Sequence, residues 1–223
     1  VAIKILRPHL VRNKSGLDRF KQEAKAVSQL HHKSVVTIHD FGLTEDNRPY
    51  LVMDLLVGKS LSELIKAKGR IEQEQALPIF LQIAEALAYT HNAGIIHRDL
   101  KPSNVLILPP DQVRIVDFGI AKLQTQEGGD TAALTQTGEV FGSPLYMSPE
   151  QCKGERLDSR SDIYSMGCLM YEVLTGKPPV NGSNMLEILY RHMNELPKPM
   201  QVDGKALKTK LQTIVFKCLA KDP

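Results

Sequence analysis

Asp99, Lys101, Asn104 and Asp117 carry the chemistry-bearing groups of this chain, in the run His97-Arg98-Asp99-Leu100-Lys101-Pro102-Ser103-Asn104 and the later Asp117-Phe118-Gly119. Oxygen donors from Asn and Asp suit Mg²⁺, which accepts few protein ligands and takes the rest from water and phosphate. Asp99 is available to accept a proton from a hydroxyl nucleophile, and Lys101 to neutralise charge on a phosphoryl group in transfer. Any one of these is an ordinary loop residue of the kind that caps elements. The ordered set reads instead as a metal, a base and a cation meeting at one spot.

The elements around these residues must bring them together. Val105–Leu108 and residues 112–116 flank Pro109-Pro110-Asp111 and read as a hairpin. An antiparallel hairpin returns the chain to where it began, so Asn104 entering it and Asp117 leaving it must lie close. Upstream, residues 1–6 read as a short buried strand ended by Pro8, and a helix follows over about 16–30. On that helix Leu17, Phe20, Ala24, Val27 and Leu30 share one arc, and Glu23 is the charged residue within it, so Glu23 points inward. Residues 35–41 and 49–54 read as two more strands.

From Gly58 onward strands give way to helices. A short helix over 60–66 precedes a long one with Leu77, Phe80, Ile83, Ala84 and Leu87 on one face, ending near Asn92-Ala93-Gly94. Residues 124–138, rich in Thr, Gln and Gly and without a period, predict a long mobile loop. Residues 163–174 are apolar on nearly every side, with Ser165 and Glu172 the exceptions, so this helix belongs in the middle of a domain. The order predicts an α+β chain of two lobes: a small strand-rich part over 1–53, a hinge at 54–58 and a larger helical part over 59–223.

Composition narrows the function classes. The net charge of +3, from 28 Lys and Arg against 25 Asp and Glu, leaves no footprint for a nucleic acid or a membrane surface. Phosphate handling must then be local. Cys152, Cys168 and Cys218 form neither a disulfide framework nor a metal pair, which points to free thiols in a reducing, cytoplasmic setting. No apolar run reaches the ~18 residues a membrane span needs. A start at Val1 and an end at Lys221-Asp222-Pro223 read as a stretch of a longer protein, which leaves room for a membrane anchor beyond either end.

The run from His97 to Asn104 and the Asp117-Phe118-Gly119 triplet resemble the catalytic loop and metal-binding motif of protein kinases, and the resemblance spans nearly the whole chain. It implies a two-lobed kinase fold with a truncated N-lobe, and ATP with Mg²⁺ or Mn²⁺ as cofactors. Val1-Ala2-Ile3-Lys4 is similar to the strand whose lysine holds the ATP phosphates, and Glu23 falls where the family supplies that lysine's partner. Asn104 and Asp117 would hold the metal, and Asp162 would steady the catalytic loop from below or cap a helix. Tyr50-Leu51-Val52-Met53-Asp54-Leu55-Leu56 resembles the hinge: Met53 as gatekeeper, Asp54 and Leu56 bonding adenine through their backbone, Ala2 and Leu106 sandwiching it. The stretch 142–150 resembles the end of an activation segment with Ser-Pro-Glu for Ala-Pro-Glu, and Ser143 falls on the substrate platform.

Lys101-Pro102-Ser103-Asn104 is similar to bacterial-type serine/threonine kinases rather than tyrosine kinases, which implies protein substrates with Ser or Thr. Thr135 and Thr137 fall where bacterial relatives carry a switch phosphate, with the Arg98 guanidinium as its donor, and two kinase copies would pair for phosphorylation between molecules. The family's glycine-rich loop precedes the lysine strand, so this stretch by itself is expected to turn over little. Three rivals stand against this reading: a pseudokinase scaffold, a small-molecule kinase and a metal-dependent hydrolase. The first predicts loss of Lys4, Asp99, Asn104 or Asp117, all of which are present; the second predicts loss of 142–150, which is intact, so a protein substrate is favoured; the third is separated by transfer to water rather than to protein.

Overall fold

Residues 1–6, 14–119, 143–202, 205–206 and 210–222 are described in a computed structural model. The strand-rich part comprises β1 (Ala2–Ile5), α1 (Lys14–Ser28), β2 (Ile38–Leu43) and β3 (Pro49–Met53), with the strands in the order β1-β3-β2, antiparallel throughout. Phe20, Ala24, Val27 and Leu30 are buried, as their shared arc predicts, and Leu17 packs against them.

Strand β1 departs from its expected burial. Val1, Ile3 and Ile5 are exposed, and only the alternate positions turn inward. Successive side chains of a strand point to opposite faces of the sheet, and the face that Val1, Ile3 and Ile5 share is left uncovered among the described residues. The strand expected over 35–41 begins only at Ile38, because Val35 forms an isolated bridge to Ile115 in the helical part. Val36 N–H bonds Ile115 C=O and Ile115 N–H bonds Ser34 C=O, stitching the two parts together behind the site.

The helical part opens with β4 (Lys59–Ser60), α2 (Leu61–Lys68) and α3 (Gln73–Asn92). Ser60 caps α2 in a capping box with Glu63, which satisfies two backbone donors at the helix start. On α3 the buried face is Ala76, Ile79, Phe80, Ile83, Ala86, Leu87 and Thr90, whereas Leu77 and Ala84 are exposed, so the expected face is rotated by part of a turn. Both arcs are apolar, and packing against neighbours rather than periodicity selects between them. Strands β5 (Val105–Leu108) and β6 (Gln112–Ile115) pair Val105 with Ile115 through Leu108 with Gln112, and β4 adds to the β5 edge.

Four helices complete the described chain: α4 (Pro149–Lys153), α5 (Ser159–Thr175), α6 (Met185–Asn194) and α7 (Lys210–Cys218), with a small pair of strands, β7 (Gln201–Val202) and β8 (Lys205–Ala206), before the last. Helix α5 is buried on almost every side, from Ser161 to Leu174, and lies against α3, α4 and α7. Each fully buried Leu or Val on it contributes about 1.5–3 kcal/mol. Asp158 caps its start and Gly176, in the left-handed region, ends it. Among the described residues no helix is long and apolar enough to cross a membrane.

Candidate active site

The hairpin does what its topology demands. Val116 N–H bonds the Asn104 carbonyl at 2.9 Å, so the residues entering and leaving β5–β6 are adjacent, and Asp117 follows directly. Asn104 is buried and directs Nδ2 to the Asp99 carbonyl at 2.9 Å and to Asp99 Oδ2 at 3.2 Å. Its Oδ1 accepts a long contact from Ser103 Oγ at 3.5 Å and keeps a lone pair for a cation. Lys101 Nζ lies 2.9 Å from Asp99 Oδ2. Four residues predicted to converge are thus in contact or in neighbouring turns.

Backbone strain marks the same place. Arg98 and Asp117 both have positive φ, 65° and 59°, although neither is glycine. Such conformations cost about 1–3 kcal/mol and persist only where the surroundings over-determine them. At Arg98 the surroundings are Asp162, whose carboxylate accepts from His97 N–H at 2.8 Å and Arg98 N–H at 2.9 Å and meets His91 Nε2 at 2.7 Å. Asp162 is 1% exposed. It sits in the first turn of α5 rather than at its cap, a role that Asp158 takes. His97, fully buried, accepts from Asp99 N–H at Nδ1, so Nε2 carries the proton and donates to the Val116 carbonyl at 3.0 Å. One imidazole thereby ties the loop of Asp99 to the strand end of Asp117. Gly119 closes the knot: a Cβ there would meet the His97 carbonyl at 2.9 Å.

The ion pairs differ from the expected ones. Lys4 Nζ pairs with Asp117 Oδ1 at 2.7 Å, not with Glu23. Glu23 pairs with Arg98 Nη1 at 2.9 Å. Burial pushes the Glu23 carboxyl above its ordinary value and outweighs the opposing pull of the Arg98 guanidinium. Glu23 does point inward, as its arc predicts, but the cation it meets is Arg98 from the helical part, whose planar, weakly hydrated donors suit a half-buried carboxylate.

Behind the lysine lies a mainly apolar cleft lined by Lys4, Leu6, Val36, Ile38, Leu51, Met53, Asp117 and Phe118. Met53 faces Ala2 across the β1–β3 ladder, and Leu106 lies on β5 in the second sheet, opposite Ser60. Asp54 follows β3, its N–H on the Thr37 carbonyl and its carboxylate 2.8 Å from His39 Nε2; Leu56 is half-buried in the connection to β4. Thr135 and Thr137 lie outside the described residues.

Residues 143–150 stand against α5. Ser143 precedes a 3₁₀ turn over Pro144–Tyr146, whose tyrosine hydroxyl donates to Glu172 and whose carbonyl accepts from Ser165 at 2.7 Å. Ser148, where the family has Ala, caps α4 in a capping box with Gln151, and Gln151 Nε2 reaches the Arg98 carbonyl at 2.9 Å. Glu150 accepts from Ser161. Sequence reasoning assigned no role to His91, Tyr146, Gln151, Ser165 or Glu172. The signal for the last two was present: they are the polar exceptions in an otherwise apolar helix, and a buried polar group needs a partner.

That pair yields a pH-dependent expectation. Tyr146→Phe leaves the Glu172 carboxylate without its hydroxyl, at a cost of about 1–3 kcal/mol, or a fall of roughly 2–12 °C in Tm. Burial already holds the Glu172 carboxyl above its ordinary value, and the Tyr146 hydroxyl pulls it back down. The variant therefore loses most at pH values where the carboxylate is charged in both proteins. Its deficit shrinks as pH falls through the raised Glu172 pKa, which thermal melts at pH 8 and below pH 5 would register.

Residues 1–223 match the family model described as protein kinase domain. The chain is 39% identical over its whole length to the serine/threonine-protein kinase PknB of Mycobacterium leprae, of which it covers 36%. It is 40% identical to the probable serine/threonine-protein kinase SCO3848 of Streptomyces coelicolor, covering 33%, and 38% identical to a probable PknB of Bifidobacterium longum, covering 33%. It spans about a third of the length of these curated relatives. With the Asp99, Asn104 and Asp117 constellation on a two-lobed frame, the chain belongs to the protein kinase family.

Proposed function

We propose that the chain is the catalytic domain, residues 1–53, 54–58 and 59–223 forming its two lobes and hinge, of a protein kinase that transfers the γ-phosphate of ATP to Ser or Thr hydroxyls of proteins. The observation that carries this is the junction at which Asp99, Lys101, Asn104 and Asp117 meet, held by Asp162 from below. The donor set fits Mg²⁺ in kind: Asn104 keeps Oδ1 free of its Asp99 contacts, and Asp117, one residue beyond the backbone bond between Val116 and Asn104, supplies a carboxylate that now holds Lys4. Bound Mg²⁺ would supply charge neutralisation for the phosphates.

The protein's own residues do the rest. The Asp99 carboxylate, oriented by Lys101 and Asn104 at Oδ2, accepts the proton of the attacking hydroxyl. Lys101, 2.9 Å from it, stabilises charge gathering on the phosphoryl oxygens. Lys4 orients the α- and β-phosphates. Ala2, Met53 and Leu106 enclose adenine, and the Asp54 carbonyl and Leu56 N–H bond it. Ser143 and the turn after it seat the peptide.

Lys4 on Asp117 and Glu23 on Arg98 constitute a resting arrangement. Engagement of ATP requires Glu23 to leave Arg98 for Lys4 and frees Asp117 for metal. A phosphate at Thr135 or Thr137, carrying about −1.5 to −2 charges, competes for the Arg98 guanidinium and drives that exchange. Mass spectrometry of the active whole protein should find phosphate within 135–137, and Thr135→Ala with Thr137→Ala should lower activity strongly. Full activity in the double variant would remove the switch.

The reading as a whole is tested with labelled ATP, the whole protein and myelin basic protein as acceptor. Label in the acceptor supports it. Label released only as inorganic phosphate favours a hydrolase instead, and no turnover with retained nucleotide binding favours a scaffold.

A further inference from the structure

His192, Tyr164 and Lys221 form a buried polar chain that the transfer reaction described above does not use. His192, on α6, has no exposed surface, and Tyr164, on α5, is 3% exposed. Lys221 Nζ lies 2.8 Å from the Tyr164 hydroxyl, and that hydroxyl lies 2.9 Å from His192 Nδ1. The order of donors follows from chemistry. An ammonium has three donors and no acceptor, so the tyrosine oxygen accepts from Lys221 and gives its own proton to Nδ1. The imidazole is thereby fixed as the Nε2–H tautomer.

That Nε2–H is buried and makes no hydrogen bond of good geometry among the described residues, the backbone of Pro144 and Leu145 facing the ring only in loose alignment. Helix α6 packs on the Pro144–Tyr146 turn and on α4, and the backbone of Pro144 and Leu145 lies close enough to the ring to favour its protonated form. Burial nonetheless dominates and pushes the His192 pKa down to about 4, so the ring is neutral at physiological pH. A neutral donor with its direction set from behind thus stands against the backbone of the turn that follows Ser143. An unpaired buried N–H is costly, and a small movement of the turn towards the ring would satisfy it.

We propose that His192 is a positioning residue for the protein substrate, its Nε2–H completing a hydrogen bond to a backbone carbonyl of Pro144 or Leu145 as the turn settles on a bound Ser/Thr peptide. The inference rests on the reading that residues 143–150 seat the peptide. Tyr164 and Lys221 act through His192 by holding the ring's orientation. The chain touches neither the nucleotide cleft nor Asp99.

The test is steady-state kinetics of the whole protein with myelin basic protein and ATP varied separately. His192→Met keeps volume and removes both ring nitrogens. The expected result is a rise of about five- to tenfold in KM for the protein substrate, the size of one lost hydrogen bond, with KM for ATP unchanged. His192→Gln, whose amide N–H reaches the same distance as Nε2, should restore most of the loss. Lys221→Met should shift the same parameter in the same direction, and the double variant should be no worse than His192→Met alone.

A folded His192→Met protein whose protein-substrate KM is unchanged, or whose two KM values rise together, overturns the proposal; so does failure of Gln to rescue. Should His192→Met not fold, Lys221→Met decides by the same KM comparison, a selective rise supporting the proposal and no change overturning it. Wild-type protein that transfers no phosphate to the acceptor defeats the kinase reading itself, and this inference with it.

Discussion

Asp99→Asn lowers kcat by about 10²–10⁴-fold, the size of a lost general base, while nucleotide binding stays close to wild type. The geometry separates the two effects. Asp99 Oδ2 contacts both Lys101 and the Asn104 amide, and an Asn side chain fits the same space with its one oxygen in that position to meet both. What it loses is the capacity to take a proton. Asp117→Ala behaves differently, because it strips an oxygen from the metal site and leaves Lys4 without its carboxylate, so nucleotide affinity falls with turnover. Isothermal titration with Mg-ATP beside the labelled-ATP assay separates the variants. Wild-type turnover in Asp99→Asn would mean that another group takes the proton.

The second large effect is remote from the reacting atoms. Asp162→Asn should reduce kcat by at least tenfold and stability by roughly 3 kcal/mol, or about 6–12 °C in Tm. Two backbone N–H groups and His91 converge on one carboxylate, and an amide offers one acceptor oxygen and a donor that opposes those N–H groups. The positive φ at Arg98 then loses the bonds that hold it, and Asp99 is the next residue. KM for ATP should change little, since the nucleotide cleft is lined by other residues. Calorimetry and kinetics on the same preparation check both parts. A variant with normal Tm and normal kcat would show that the loop holds its shape without Asp162.

Glu23 illustrates how far a sequence period reaches. The helical arc of Leu17, Phe20, Ala24, Val27 and Leu30 is local, set by 100° per residue, and it correctly turns Glu23 towards the interior. The choice between Lys4 and Arg98 is not local. Arg98 is 75 residues away, and its guanidinium reaches Glu23 only because Val35, Val36 and Ile115 dock the two parts of the chain against each other. Helix α3 teaches the same lesson at the level of packing: two apolar arcs were available, and the neighbours buried Ile79 and Ala86 rather than Leu77 and Ala84.

The types and order of Asp99, Lys101, Asn104 and Asp117, and the hairpin that returns Asp117 to Asn104, were legible from the chain alone, because hairpin closure depends on residues close together in the chain. The family resemblance rests on those same motifs and on their order. Tertiary structure alone decided which partners they take: Asp162 beneath the loop, Ser165 and Glu172 beneath the turn of Tyr146, and His192 with Tyr164 and Lys221 behind it. The physical reason is that a buried polar side chain announces in sequence only that it needs a partner. Which partner it finds is settled by how α5 and α6 pack, and that packing sums many small apolar contacts between residues far apart in the chain.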